Sequence, residues 1–182
     1  MLPYGSKELA ASFRTVRKNT LTAASEIPAD KYDFRPAPDC RSVEKLLAHI
    51  ALSYRFQHQI HAVEKRTTLA GFDFPAMMAG LHAEEANPRA KAQVIALLEE
   101  EGEVWAGFLD SVSDDFLSQA VAFPFEPPSS KTRLEMLLSV KEHEMHHRGQ
   151  AMVIQRMIGI VPHLTRQREE RAAAQAAEAT AS

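Results

Sequence analysis

The chain has 182 residues, 45% of them hydrophobic and 25% charged, which suits one globular domain rather than a chain disordered throughout. With 21 basic against 24 acidic residues the formal charge is −3, and the expectation drawn from it is that nucleic acid is not a partner, since phosphate binding calls for a basic excess. There is no apolar run near the roughly 20 residues that span a bilayer, no signal-peptide pattern in MLPYGSKELA, and one cysteine, Cys40, so the reading is a cytoplasmic, reduced protein without a membrane partner.

Apolar residues recur at steps of three and four over four long segments, the period of an amphipathic helix. The first runs from about Lys7 to Ile27, with Leu9, Phe13, Val16, Thr20, Ala24 and Ile27 on one stripe, and Pro28 stops it. A proline-rich link, 28–41, follows. The second helix runs from about Ser42, a suitable N-cap, to Arg66, with Leu46, His49, Ser53, Phe56 and Ile60 on its stripe. Residues 67–88 hold a short helix from Pro75 to Glu85 and are long enough to cross the end of a bundle. The third helix runs from about Arg89 to Val112, with Val94, Leu97, Leu98, Trp105, Phe108 and Val112 inward. Residues 113–131, with Pro124, Pro127 and Pro128, read as an irregular loop, and no strand is expected.

The fourth helix runs from about Arg133 to Ile160, opened by a Thr132/Glu135 capping box and closed by Gly159 and Pro162. Its stripe is Met136, Val140, His143, His147, Gln150, Ile154 and Met157. The remainder is charged, then alanine-rich, and reads as a frayed or disordered end. The expected fold is an all-α four-helix bundle over residues 1–162, with a tail over 163–182.

His143 and His147 lie one turn apart on an apolar face and therefore point into the bundle. Buried imidazole nitrogens need partners, and a divalent metal supplies one to both rings. His49, on the stripe of the second helix, is placed to give a third nitrogen. Three histidines with an open position describe a catalytic metal site, whereas a structural zinc site would call for cysteines. The remaining histidines have no such spacing, and His146 flanks the site.

His143-Glu144-Met145-His146-His147 also matches H-E-x-x-H, in which the glutamate is a general base. The longer protease pattern fails at Gln150 and Val153, so Glu144 is a candidate catalytic carboxylate more in keeping with an outer position around the metal or with the surface. Glu101 beside the third stripe and Cys40 ahead of the second helix are lesser candidates, read as a solvated edge and an incidental thiol.

Several runs together resemble the DinB / YfiT-like family of metal-binding four-helix bundles. They are Phe34-Arg35-Pro36-Ala37-Pro38, Leu46-Leu47-Ala48-His49-Ile50, Thr132-Arg133-Leu134-Glu135, and His143 to Gln150 with its HHRGQ. The resemblance implies an up-down-down-up bundle with a long crossover between the second and third helices. It also implies a metal triad of His49, His143 and His147, with zinc or nickel as the metal. Relatives include enzymes that use a low-molecular-weight thiol with a small-molecule substrate, and homodimers are common among them. Gln150, part of the family pattern, is placed to hold a metal-bound water, and Gly149 is expected at a close helix crossing. The expected function is thus a metal-dependent hydrolase or thiol-dependent transferase, with a non-catalytic metal-binding bundle as the alternative.

Overall fold

The computed structural model describes residues 4–181. Helix α1 (Ser6–Glu26) buries Leu9, Phe13, Val16, Thr20 and Ala24, the stripe expected of it. Helix α2 (Val43–Leu52) is capped by Ser42, whose hydroxyl accepts the Lys45 N–H at 3.2 Å. The expected continuation to Arg66 is broken. A turn at Ser53 and Tyr54 leads to a short helix α3 (Arg55–His58) and then to a π turn over Gln59–Val63. The π turn carries two consecutive buried residues, Ile60 and His61.

Helix α4 (Phe74–Ala86) starts at Asp73, whose carboxylate accepts the Ala76 N–H at 2.9 Å. Helix α5 (Lys91–Ser111) buries Val94, Leu98, Trp105 and Leu109. The segment expected to be an irregular loop is ordered instead. It forms helix α6 (Asp114–Ser118) and an antiparallel hairpin of β1 (Ala120–Phe123) and β2 (Ser129–Thr132), in register Ala120↔Thr132 to Phe123↔Ser129. All its prolines sit in the turn between the strands. Only Val121 of the strand residues is buried, so no alternating pattern marks the hairpin in sequence.

Helix α7 (Arg133–Met157) is capped by Thr132, which accepts the Glu135 N–H at 3.2 Å. It ends where Gly159 turns left-handed at φ 85°. There Gly159 N–H donates to Arg156 O at 3.1 Å and Ile160 N–H to Gln155 O at 2.8 Å, a Schellman closure. The tail forms helix α8 (His163–Ala181), which opens against α1: His163 faces Asn19 and Arg166 pairs with Glu26.

Cross-helix pairs fix the topology. Lys91 at the start of α5 reaches the carbonyls of Ser25 and Ile27 at the end of α1, so these two run antiparallel. Lys141 meets Ser12, Arg148 meets Val16 and Gln155 meets Ala23, so α7 runs parallel to α1. On α2, Val43 and Leu46 pack with Val94 and Ile154, whereas Tyr54, just past its end, packs with Trp105 and Val140. Hence α2 is parallel to α5 and antiparallel to α7, and the four-helix bundle is up-down-down-up, with the 53–90 segment as its crossover.

A buried ion pair lies inside this apolar frame. Arg17 of α1 donates to both oxygens of Glu144 of α7, at 2.9 to 3.1 Å, and to Leu98 O of α5 at 2.6 Å. Gly102 of α5 makes room for it, since a Cβ there would stand 3.1 Å from Arg17 Cγ. The close crossing expected at Gly149 occurs at Gly102 instead. Gly149 is exposed, and a Cβ on it would meet nothing within 4 Å.

Candidate metal centre

The seam between α2 and α7 brings three imidazoles together. His143 Nε2 lies 3.2 Å from His49 Nε2 and 3.1 Å from His147 Nε2, and one ligand nitrogen of each ring lies within 4.8 Å of the others. All three residues are partly buried. His143 and His147 project from successive turns of α7, and His49 comes from the last turn of α2.

The outer nitrogens explain why the inner ones face one another. His49 Nδ1 donates to Glu85 Oε1 of α4 at 2.6 Å, because a carboxylate only accepts. His147 Nδ1 donates to Gln150 Oε1 at 2.9 Å. With both outer nitrogens protonated, the Nε2 atoms of His49 and His147 carry lone pairs. His143 Nε2 holds at most one proton, so one close nitrogen pair lacks a hydrogen between its members. A cation resolves that conflict. Two metal–nitrogen bonds of 2.0–2.1 Å at a tetrahedral angle separate their nitrogens by about 3.4 Å, within a few tenths of the observed contacts.

Burial depresses the basicity of all three rings. It works with the neighbouring imidazoles to hold His143 at about 4. His49 is pushed down by burial, against the pull of Glu85, and His147 by burial, against its hydrogen bond to Gln150. The rings are therefore neutral at pH 7, the form that binds a metal.

Two cavities open on the triad. One, of about 350 Å³, is walled by Phe56, Phe74, Met78, Leu81 and Val140, and His49, His143 and Glu85 stand at its edge. The other, of about 470 Å³, lies between the 36–41 link and α7 and is lined by Cys40, Arg41, His147 and Gln150.

The remaining candidates fall into different places. Glu144 points away from the triad into its ion pair with Arg17, so the general-base part that H-E-x-x-H assigns to it is withdrawn. It follows His143 by one residue, which turns it about 100° around the helix. Gln150 lies beside the triad, where its oxygen holds the outer nitrogen of His147. Glu101 accepts from the Tyr54 hydroxyl at 2.6 Å and from Arg55, and lines neither cavity. Burial opposes its charge, and the Arg55 and Tyr54 bonds outweigh burial to hold it below the usual carboxylate range. His146 is exposed and flanks His147, as expected.

Glu85 is the site residue that the sequence did not disclose. Its signal is weak: Leu81 and Glu85, one turn apart, are the only buried residues of α4. Nothing in the run Glu84-Glu85 says which carboxylate turns inward.

A model of the DinB superfamily matches residues 12–151. The chain belongs to the DinB superfamily. Among solved structures, a DinB-like protein from Bacillus subtilis, YjoA, has 22% identity and a TM-score of 0.61, the match covering 84% of this DinB chain and 92% of that one. YfiT from Bacillus subtilis, described as a probable metal-dependent hydrolase with an unusual four-helix bundle topology, has 15% identity and a TM-score of 0.64, with 88% and 91% covered. The colibactin self-resistance protein ClbS, in complex with a dsDNA, has 14% identity and a TM-score of 0.62, with 86% and 98% covered. No curated protein sequence matches the chain.

ClbS corrects the expectation drawn from net charge. ClbS, a protein of this fold, is in complex with duplex DNA, so the expectation that nucleic acid is not a partner is withdrawn. Net charge sums the whole surface, whereas phosphate contact depends on a local field. Among the described residues no helix is long and apolar enough to cross a membrane.

Proposed function

We propose that this DinB chain is a metal-dependent enzyme in which His49, His143 and His147 hold one divalent cation, zinc or nickel. The observation that carries the reading is the mutual approach of three Nε2 atoms while the outer nitrogens of two rings are held by Glu85 and Gln150. Orientation of ligand histidines by an outer acceptor is the usual companion of a metal site. A divalent ion bound there supplies Lewis acidity and lowers the pKa of a water or thiol toward neutrality. Glu85 and Gln150 hold the ligand rings in one tautomer and at one angle. The apolar wall of Phe56, Phe74 and Leu81 keeps bulk water from one side, and Arg41 and Gln150 offer polar contacts on the other.

The substrate on this reading is a small molecule, acted on by activated water or by a low-molecular-weight thiol. A purely structural metal site is less well supported. Among the described residues the cluster holds three ligand side chains, and two cavities adjoin it, whereas a structural site is closed by protein. A second copy of the chain would cover the exposed Met145, Val153 and Met157 of α7, of which Val153 also lines the cavity beside His147.

The test is metal analysis of protein prepared without a nickel column. The wild-type chain is expected to hold about one ion, and His147→Ala to lose it while keeping its helicity. Wild-type metal content in His147→Ala would refute the assignment.

A further inference from the structure

The apolar cavity at the triad does not end at the triad's own walls. Phe56, Gln57, Phe74 and Ser139 also line a second hollow of about 310 Å³, whose far walls are Leu69, Met136, Phe123 and Phe125. The two hollows therefore share a boundary. From His143 to Glu135 on the continuous helix α7 the path runs eight residues, about 12 Å at the helical rise. Aromatic rings line it in sequence. Phe56 packs on Phe74 at 5.6 Å between centroids, Phe74 on Phe125 at 6.1 Å, and Phe125 on Phe123 at 6.3 Å. Phe125 closes the outer end from the hairpin turn and is itself half exposed. The hairpin thus acquires a use: it brings Phe123 and Phe125 over a path that starts at the histidines.

We infer that this path is a tail subsite, and that the substrate class is an extended molecule with a polar reacting head at the triad and an apolar chain of about 12 Å laid along Phe56, Phe74 and Phe125. The inference rests on the metal-site reading for the position of the head, and on the aromatic walls alone for the tail. A hydrophobic path continuous with a cluster of polar ligands is what a head-and-tail ligand requires. The polar groups along the way are Gln57 and Ser139, which line both hollows, and Lys131 and Glu135, which pair with each other at 3.2 Å beside the outer one. Ser139 already spends its hydroxyl on Met136 O at 2.6 Å, so it asks little of a passing chain. Ser139 and Gln57 set whether a long tail can pass, and Phe125 sets how much of its end is covered.

The probes are straight-chain hydroxamates, whose head binds a metal and whose tail length is varied. Isothermal titration of the zinc-loaded full chain is expected to show octanohydroxamate binding about a hundredfold tighter than acetohydroxamate, less than its buried methylenes alone would give because the tail must be ordered. Ser139→Phe, which fills the junction, is expected to bring octanohydroxamate down to the acetohydroxamate value measured in the same variant. Phe125→Ser, at the exposed tip, is expected to weaken octanohydroxamate several-fold and spare acetohydroxamate, and it serves where Ser139→Phe fails to fold.

Equal affinity across the series in zinc-loaded protein would overturn the tail subsite and leave the metal reading intact. Failure of the chain to take up zinc would overturn the metal reading instead. The subsite is then judged on octanohydroxamate added to the metal-free chain, where binding lost in Ser139→Phe or Phe125→Ser supports it and the absence of binding refutes it.

Discussion

Removing the Glu144 carboxylate separates the two parts that its motif suggests. If it were a general base at the metal, Glu144→Ala would spare the fold. The structure makes it the partner of Arg17, with side chains only 2% and 6% exposed, joined through three hydrogen bonds of 2.9 to 3.1 Å. Truncation leaves the Arg17 guanidinium buried with Leu98 O as its remaining partner. An uncompensated buried charge costs about 3–5 kcal/mol. For a chain of this size that lowers Tm by roughly 10 °C. Urea unfolding followed by circular dichroism measures the loss, and removing both charges with Arg17→Met and Glu144→Leu should recover most of it. A Glu144→Ala protein of wild-type stability would refute the assignment of Glu144 to the core.

Glu85→Ala frees the outer nitrogen of His49, and zinc affinity measured by competition with a chelator should fall about 10- to 100-fold, with helicity unchanged. Burial, helped by Arg133, holds the His61 imidazole down to about 4, against 6.5 in the unfolded chain. The unfolded chain thus binds the extra proton between these values, so stability is full above pH 6.5 and falls by about 3 kcal/mol as pH drops to 4. Urea midpoints of wild type and His61→Gln across that window should converge toward low pH, and parallel curves would contradict the assignment. Gly149→Ala meets no neighbour and replaces an exposed mid-helix glycine, so thermal melts should show a gain of about 0.5–1 kcal/mol.

The long helices and the triad were legible because each depends on spacing along one helix. Leu9, Phe13 and Val16 on α1, and His143 and His147 on α7, follow from a period of 3.6 alone. What could not be read depends on relations between segments. The hairpin has one buried strand residue, Val121, and so carries no alternation. The break at Ser53 and the π turn after His58 answer to Tyr54 reaching Glu101 and to Arg133 reaching His61, contacts across 47 and 72 positions. The parts of Glu85 and Glu144 are exchanged for the same reason: Glu144, which the motif singles out, turns to the core, while Glu85, which nothing in the sequence singles out, turns to the histidine triad.

That exchange has a physical logic. Residues 143 and 144 are adjacent, so their side chains leave α7 about 100° apart. When Glu144 is fixed on Arg17, the rotation of α7 about its own axis is fixed with it, and His143 and His147 are turned toward α2. Apolar contacts alone fix that rotation weakly, because leucine and methionine accept small slips that hydrogen bonds of 2.9 to 3.1 Å do not. On the opposite side Glu85 does the same for His49 by anchoring its ring from α4. The two carboxylates thus act on the triad from different layers, one by setting a helix and one by setting a ring. The geometry of the histidine triad is a property of the whole bundle rather than of a short motif.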